Sequence, residues 1–505
     1  MNIGKQIKLG AVVSYITIVF NIIAGLIYTP WMIASIGKDN YALYTLALSI
    51  INIFLLDFGI GSSVTRFLSE YYAKGMRKEA EQFMGIVYKV FFVISAIIAF
   101  GLIIFYFLID ILYGKLSPSE IIIFKHLFII VGAYSVISFP CTVFKGVLMA
   151  NEEFVSVKLC GLGQKVTDTI LIIFFLLSGK GVYAMVLVHA FSNMLFHAIR
   201  YLIIRIRTKQ RSQMHSWNKT QARSLFGYSV WITIISISQR CIFNIMPSLI
   251  AALIGSAEVT LFSLSATLEG YVYTFADAIN GMFMPRISRI FASDNSENKI
   301  NDLMCRVGKF HVYTIGLIII GFICLGQRFV KLWLGSGYGS VYICAVILMI
   351  PSLIDVPQQV ARTSLLTLNI VKQQAYIYIS MAVINILISL FLVPDFGAVG
   401  ASIAVCCAYL FRTFMFNVLY KKKLPVRLGQ YFRNVYLKWG IAAIASLVTG
   451  SVLDNLIPKN GVFSFLILGI VVVIIYAVLI YVFDIDKKTK SSIKNNICHF
   501  TGGKL

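Results

Sequence analysis

Nine ionisable residues fall inside apolar stretches of this 505-residue chain: Asp57, Lys145, Asp168, Arg240, Glu269, Asp277, Asp355, Arg362 and Arg412. A charge in hydrocarbon costs about 2.5–3.5 kcal/mol on insertion scales, so each is a functional candidate by default. The basic ones suit an anionic group. Arginine offers a planar fork of donors and lysine a mobile point charge, which together fit a diphosphate. Arg240 stands near the middle of its apolar run and cannot easily snorkel to an interface, so it needs a partner or water. Gln239, Asn244 and Ser236 share its neighbourhood. Lys145 and Arg362 each follow a proline by five residues, Pro140 and Pro357. Proline frees a carbonyl and bends a helix, and bent helices line transporter cavities. The competing reading of both is ordinary snorkelling. Arg412 lies about two turns from a helix end.

The carboxylates Asp57, Asp168, Glu269, Asp277 and Asp355 have three open uses. They can balance cations across a bundle, face a hydrated cleft, or carry a coupling H+ or Na+. Arg66 and Arg286 lie at helix ends, where basic residues commonly serve orientation.

No catalytic residue is expected. The chain contains no G-x-S-x-G, P-loop or dinucleotide fingerprint, and Gly335–Gly339 has no strand-to-helix context. None of its nine cysteines forms a C-x-x-C pair, and its six histidines are scattered. Neither a metal site nor a cofactor is expected, and the chain does not read as an enzyme.

These residues need elements to hold them, and composition says which. Hydrophobic residues make up 59% of the chain and charged ones 13%, against about 45–50% and 25% in soluble domains. That excludes a soluble enzyme, a disordered chain and a disulfide scaffold, and indicates an all-α polytopic membrane protein. The apolar runs are much longer than the roughly 10-residue alternating segments of a barrel. The first, from Gly10 to Ala34, exceeds a signal-peptide h-region and reads as an uncleaved helix. Five more are expected at 41–65, 83–112, 120–149, 155–178 and 181–206. Six follow at 224–254, 258–284, 305–326, 339–369, 372–393 and 397–420, and a last pair at 439–457 and 462–483.

About fourteen helices therefore divide into an N-terminal six-helix bundle (1–206), a basic connector (207–223), a C-terminal six-helix bundle (224–420), a second connector (421–438), helices 13 and 14 (439–483) and a polar tail (484–505). With both termini placed in the cytoplasm, 36 of the 44 lysines and arginines fall on that side. This asymmetry obeys the positive-inside rule and accounts for the net charge of +23 without a nucleic-acid partner.

The two bundles look duplicated. Asp57-x3-Gly61-x4-Arg66 near the end of helix 2 matches Asp277-x3-Gly281-x4-Arg286 near the end of helix 8, and Ile-Gly precedes each helix at Ile36-Gly37 and Ile254-Gly255. With Pro140-x4-Lys145 and Pro357-x4-Arg362 in corresponding helices, the pattern suggests parallel repeats.

The stretch from Ile36 to Leu46, followed by Asp57-Phe-Gly-Ile-Gly-Ser-Ser-Val-Thr-Arg66 and on to Gly75, resembles the opening of bacterial polysaccharide-transport proteins. These are O-antigen or capsule repeat-unit flippases of the multidrug/oligosaccharidyl-lipid/polysaccharide exporter superfamily. Ala42 departs from the pattern, which has glycine there; the change is small for small.

The resemblance implies movement of undecaprenyl-diphosphate-linked oligosaccharide from the cytoplasmic to the outer leaflet, by alternating access of two six-helix bundles. It implies cavity cations for the diphosphate, which fits Arg240, Lys145, Arg362 and Arg412, and a groove for the polyprenyl tail at helices 13 and 14. It implies the bacterial cytoplasmic membrane as location. Membrane lipids are expected partners, with polysaccharide polymerase and other assembly proteins as candidates. A lipid-linked peptidoglycan-precursor flippase and a cation-coupled multidrug exporter of the same superfamily remain the alternatives.

Overall fold

A computed structural model describes residues 3–54, 60–208, 212–213, 219–280, 287, 290–291, 296–368, 370–457 and 461–484. Among these the chain is helical throughout. In order the helices are α1 (Ile3–Ile36), α2 (Lys38–Phe54), α3 (Ile60–Ala73), α4 (Arg77–Leu112), α5 (Pro118–Ser138), α6 (Val143–Ala150), α7 (Phe154–Leu177), α8 (Val182–Ile203) and α9 (Lys219–Phe243). Then come α10 (Ile245–Leu253), α11 (Ser256–Asn280), α12 (Ser296–Leu334), α13 (Gly339–Met349), α14 (Ser352–Asp355), α15 (Gln359–Thr367), α16 (Val371–Lys423), α17 (Leu428–Leu456) and α18 (Val462–Phe483).

Eleven spans among the described residues are long and apolar enough to cross a membrane. One of them, α16, holds two of the expected helices. They meet at Gly397, whose φ of 57° and ψ of −134° suit glycine alone. A Cβ there would lie 2.6 Å from Glu258 Oε2, and that same oxygen accepts from the Ala398 amide at 2.8 Å. The expected helices that fall short of the apolar test are 2 and 8, the pair that carries the Asp-x3-Gly-x4-Arg repeat. The first is present as α2 and α3, the second as α11 with Glu258, Glu269 and Asp277 along it.

The outward faces are apolar. Phe107 is 70% exposed, Ile111 77%, Phe391 78% and Phe463 77%. Water would not tolerate so continuous an apolar surface, whereas lipid solvates it. The protein is a multi-pass membrane protein.

Both expected proline breaks are present. Pro140 sits in the 3-10 turn Phe139–Thr142 between α5 and α6, and Pro357 in the turn Val356–Gln358 between α14 and α15. A proline has no N–H for the carbonyl four residues back. For Pro140 that carbonyl belongs to Val136, and Ser95 of α4 donates to it at 3.4 Å. For Pro357 it belongs to Leu353, and the Tyr436 hydroxyl of α17 donates to it at 2.9 Å. In each case a neighbouring helix supplies the donor the proline lacks.

The chain divides into two compact units, Met1–Ala266 with Val371–Ala408, and Thr267–Ile370 with Tyr409–Leu505. Within the second, α17 and α18 dock on α12. Trp439 Nε1 donates to the Tyr476 hydroxyl at 2.8 Å, which donates to the Tyr313 carbonyl at 3.0 Å. Gly316 permits this approach, because a Cβ there would lie 2.7 Å from both aromatic side chains.

Candidate functional site

The densest cluster of the expected site residues lies in the second unit, where the broken helix α14–α15 faces the start of that unit's part of α16. Asp355 ends α14 and is buried. Its Oδ1 accepts from Arg362, which also reaches the Asp355 carbonyl at 3.2 Å. Its Oδ2 pairs with Arg412 Nη2 at 2.7 Å. The 3-10 turn at Pro357 lies between Asp355 and Arg362, and Arg362, about two turns on, reaches back to the residue that closes the preceding helix. One carboxylate thus holds two guanidinium groups.

Aromatic rings flank the cations. The Arg412 guanidinium stands 4.4 Å from the Tyr409 ring centroid, and Arg362 stands 5.8 Å from that of Phe416. Gln358 and Asn417 exchange amide hydrogen bonds at 3.1 and 3.2 Å, which fixes α16 against the break. Glu269 of α11 is fully buried and lies within reach of the Arg412 charge. Neither of its oxygens meets a hydrogen-bond partner among the described residues. The Tyr273 hydroxyl, one turn on, is likewise buried without one. Sequence reading named Asp355, Arg362, Arg412 and Glu269 but missed Tyr273, Gln358 and Tyr409. The (i, i+3) spacing of Tyr409 and Arg412 was the available signal.

The remaining candidates belong to the first unit and do not form a comparable cluster. Arg240 of α9 donates to the Asn52 carbonyl near the end of α2. Lys145 is exposed on α6, within range of the Lys158 charge on α7. Arg66 is exposed on α3 and lies over the Phe67 ring at 5.8 Å. Asp168 of α7 faces His189 Nδ1 of α8 at 3.3 Å. Asp57 and Arg286 lie outside the described residues, as does the side chain of Asp277 on α11. Among the described residues no group of His, Cys, Asp and Glu is arranged to hold a metal ion.

A family model described as polysaccharide biosynthesis protein matches residues 36–343. The chain belongs to that family. A relative from Haloferax volcanii, described as probable low-salt glycan biosynthesis flippase Agl15, is 20% identical over 307 residues. The match covers 61% of this chain and 62% of that relative, so it spans less than two thirds of the relative's length. The fold is similar to that of lipid II flippase MurJ in its inward closed conformation, with a TM-score of 0.70 at 15% identity, over 93% of this chain and 99% of the other. It is also similar to an inward-facing multidrug resistance MATE family transporter of the MOP superfamily, with a TM-score of 0.67 at 12% identity, over 82% and 98%. At such identities the likeness shows the fold, and the all-α polytopic architecture read from composition is the one found.

Proposed function

We propose that this polysaccharide biosynthesis protein is a flippase. It carries undecaprenyl-diphosphate-linked oligosaccharide repeat units, precursors of O-antigen or capsule, from the cytoplasmic to the outer leaflet. It works by alternating access of two six-helix bundles in the bacterial cytoplasmic membrane, with both termini in the cytoplasm. Sugar hydroxyls would lose their hydrogen bonds in hydrocarbon, so the protein supplies a polar route for the head while the polyprenyl tail stays in lipid. Arg362 and Arg412 bind the diphosphate, and Arg240 and Lys145 are the further basic candidates for contact with the cargo. Of the carboxylates, Glu269 answers the returning charge with H+ or Na+. Transmembrane potential contributes about 2.3 kcal/mol per charge per 100 mV.

The observation that carries the reading is the pair of arginines held on the single carboxylate of Asp355 inside a membrane bundle. A diphosphate brings more negative charge and more acceptor oxygens than one carboxylate, and can compete for the same two forks. A site built from arginines is poorly suited to cationic drugs.

The test is deletion of the gene, followed by extraction of lipid-linked saccharides and assignment of their leaflet with an outside-added probe. Completed repeat units stranded on the cytoplasmic leaflet are expected, and their mass names the cargo. Stranded peptidoglycan precursor would name the other lipid-linked cargo. Repeat units that reach the outer leaflet unpolymerised would transfer the function to a polymerase. Unchanged lipid pools would refute the flippase and favour drug export.

A further inference from the structure

Five helices of the first unit converge on Asp168. The Asp168 Oδ2 faces His189 Nδ1 at 3.3 Å, with the two side chains 15% and 25% exposed. Tyr134 of α5 meets the His189 ring edge-on, 6.1 Å between centroids at 78°. Tyr28 of α1 and Tyr44 of α2 lie, with Tyr134, in range of the Asp168 charge, and Tyr41 is within electrostatic range of both Tyr28 and Tyr44. These residues come from five separate helices, so only the packed unit assembles them.

Two polar atoms here are unanswered. Asp168 Oδ1 and the Tyr28 hydroxyl are buried, and neither meets a hydrogen-bond partner among the described residues. A buried carboxylate oxygen and a buried phenol carry a substantial desolvation cost unless something hydrogen-bonds to them. Four phenol rings add flat apolar faces with polar tips. Among the described residues the ion pair of Asp168 is with His189, and neither lysine nor arginine is bridged to it. The site's own charge is therefore a carboxylate, which repels an anionic group. A ligand that supplies hydroxyl donors to Oδ1, an acceptor or donor to Tyr28 and C–H faces to the rings is a sugar.

We propose that Tyr28, Tyr41, Tyr44, Tyr134, Asp168 and His189 form a saccharide subsite, selective for neutral or amino sugars over acidic ones. This rests on the flippase reading above and locates where its head group is recognised, apart from the arginines. The carboxylate accepts from sugar hydroxyls, His189 holds the carboxylate's other oxygen in place, and the rings stack on pyranose faces. Uronic acids are disfavoured because Asp168 repels them.

The experiment uses the full chain in lipid nanodiscs and two probes. One is undecaprenyl diphosphate; the other is the saccharide-bearing undecaprenyl diphosphate extracted from a strain that lacks the gene. The readout is the ratio of their dissociation constants. Wild type is expected to bind the saccharide-bearing lipid at least about tenfold more tightly. The near-isosteric Asp168→Asn should cut that ratio about tenfold, as for loss of a charge-assisted hydrogen bond. Tyr28→Phe should cut it about threefold to fivefold, as for a neutral one.

An unchanged ratio in both variants overturns the subsite. So does a parallel loss for both probes, which would mark Asp168 as a coupling-ion or scaffold residue. If no saccharide lipid accumulates in the deletion strain, or wild type binds neither probe, the flippase reading fails and the subsite with it. The two failures are therefore distinguishable.

Discussion

Replacement of Asp355 by alanine is predicted to destabilise the second unit strongly. The Asp355 side chain is 4% exposed, that of Arg412 is 6% and that of Arg362 is 19%. The carboxylate is the common partner of both guanidinium groups, so its loss leaves two like charges facing each other in an apolar bundle. Deletion of one partner of a buried pair costs about 3–5 kcal/mol. Arg362 retains the residue 355 carbonyl at 3.2 Å and Arg412 retains the Tyr409 ring at 4.4 Å, which favours the lower end, about 3 kcal/mol. A domain of 150–250 residues loses about 2–4 °C per kcal/mol, so the apparent Tm should fall by about 6–12 °C. The assay is thermal unfolding of the purified full chain, read from its five tryptophans. Asp355→Ala combined with Arg362→Met and Arg412→Met removes all three charges. It should melt within about 2 °C of wild type, because apolar replacements of buried ionic triads are often neutral or better. A single variant that melts within about 1 °C of wild type would refute the reasoning, since the carboxylate would then hold nothing of consequence.

Three further outcomes follow from other parts of the molecule. Arg240→Ala, and Arg362→Ala paired with Lys145→Ala, should abolish surface polysaccharide while protein levels persist; normal polysaccharide in both would end the case for these residues as diphosphate ligands, and Arg240→Lys asks whether charge alone suffices. Tyr436→Phe leaves the carbonyl freed by Pro357 without its 2.9 Å donor and should cost about 1–3 kcal/mol in the same melting assay, with Ser95→Ala smaller because its bond is longer at 3.4 Å. Gly397→Ala should lower the yield of monodisperse protein, since its backbone strain is about 1–3 kcal/mol and its Cβ would crowd Glu258; Gly429→Ala, which meets nothing within 4 Å, is the control.

Much of the architecture was legible because the membrane imposes it. Long apolar runs and the two proline positions led directly to helices and helix breaks found at those places. The boundary between the expected helices, 372–393 and 397–420, falls at the Gly397 kink. The candidate site was legible only in part. A charge in an apolar run is conspicuous, so Asp355, Arg362 and Arg412 were found. Their mutual pairing was not, because Asp355 and Arg412 are far apart in sequence and nothing local links them. The same holds more strongly for the tyrosines around Asp168. Aromatic residues suit core, interface and ligand face equally well, so their types gave no reason to prefer Tyr28 or Tyr134 over the others. His189 stood unnoticed because a single histidine in an apolar helix carries no spacing signal of its own.

Once the partners are known, the intramembrane charges sort by whether the protein itself answers them. Arg362 and Arg412 are answered by Asp355, which holds both forks in place. Arg240 donates to a backbone carbonyl, which helps orient the guanidinium. Asp168 is answered on one oxygen, and Glu269 on neither among the described residues. A membrane offers no water to make up the difference, so the unanswered atoms are where something that comes and goes is expected to bind. On the proposed flippase reading, the arginines are the ligands for the charged end of the cargo, Asp168 with its tyrosines the reader of the sugar, and Glu269 the carboxylate for a coupling ion.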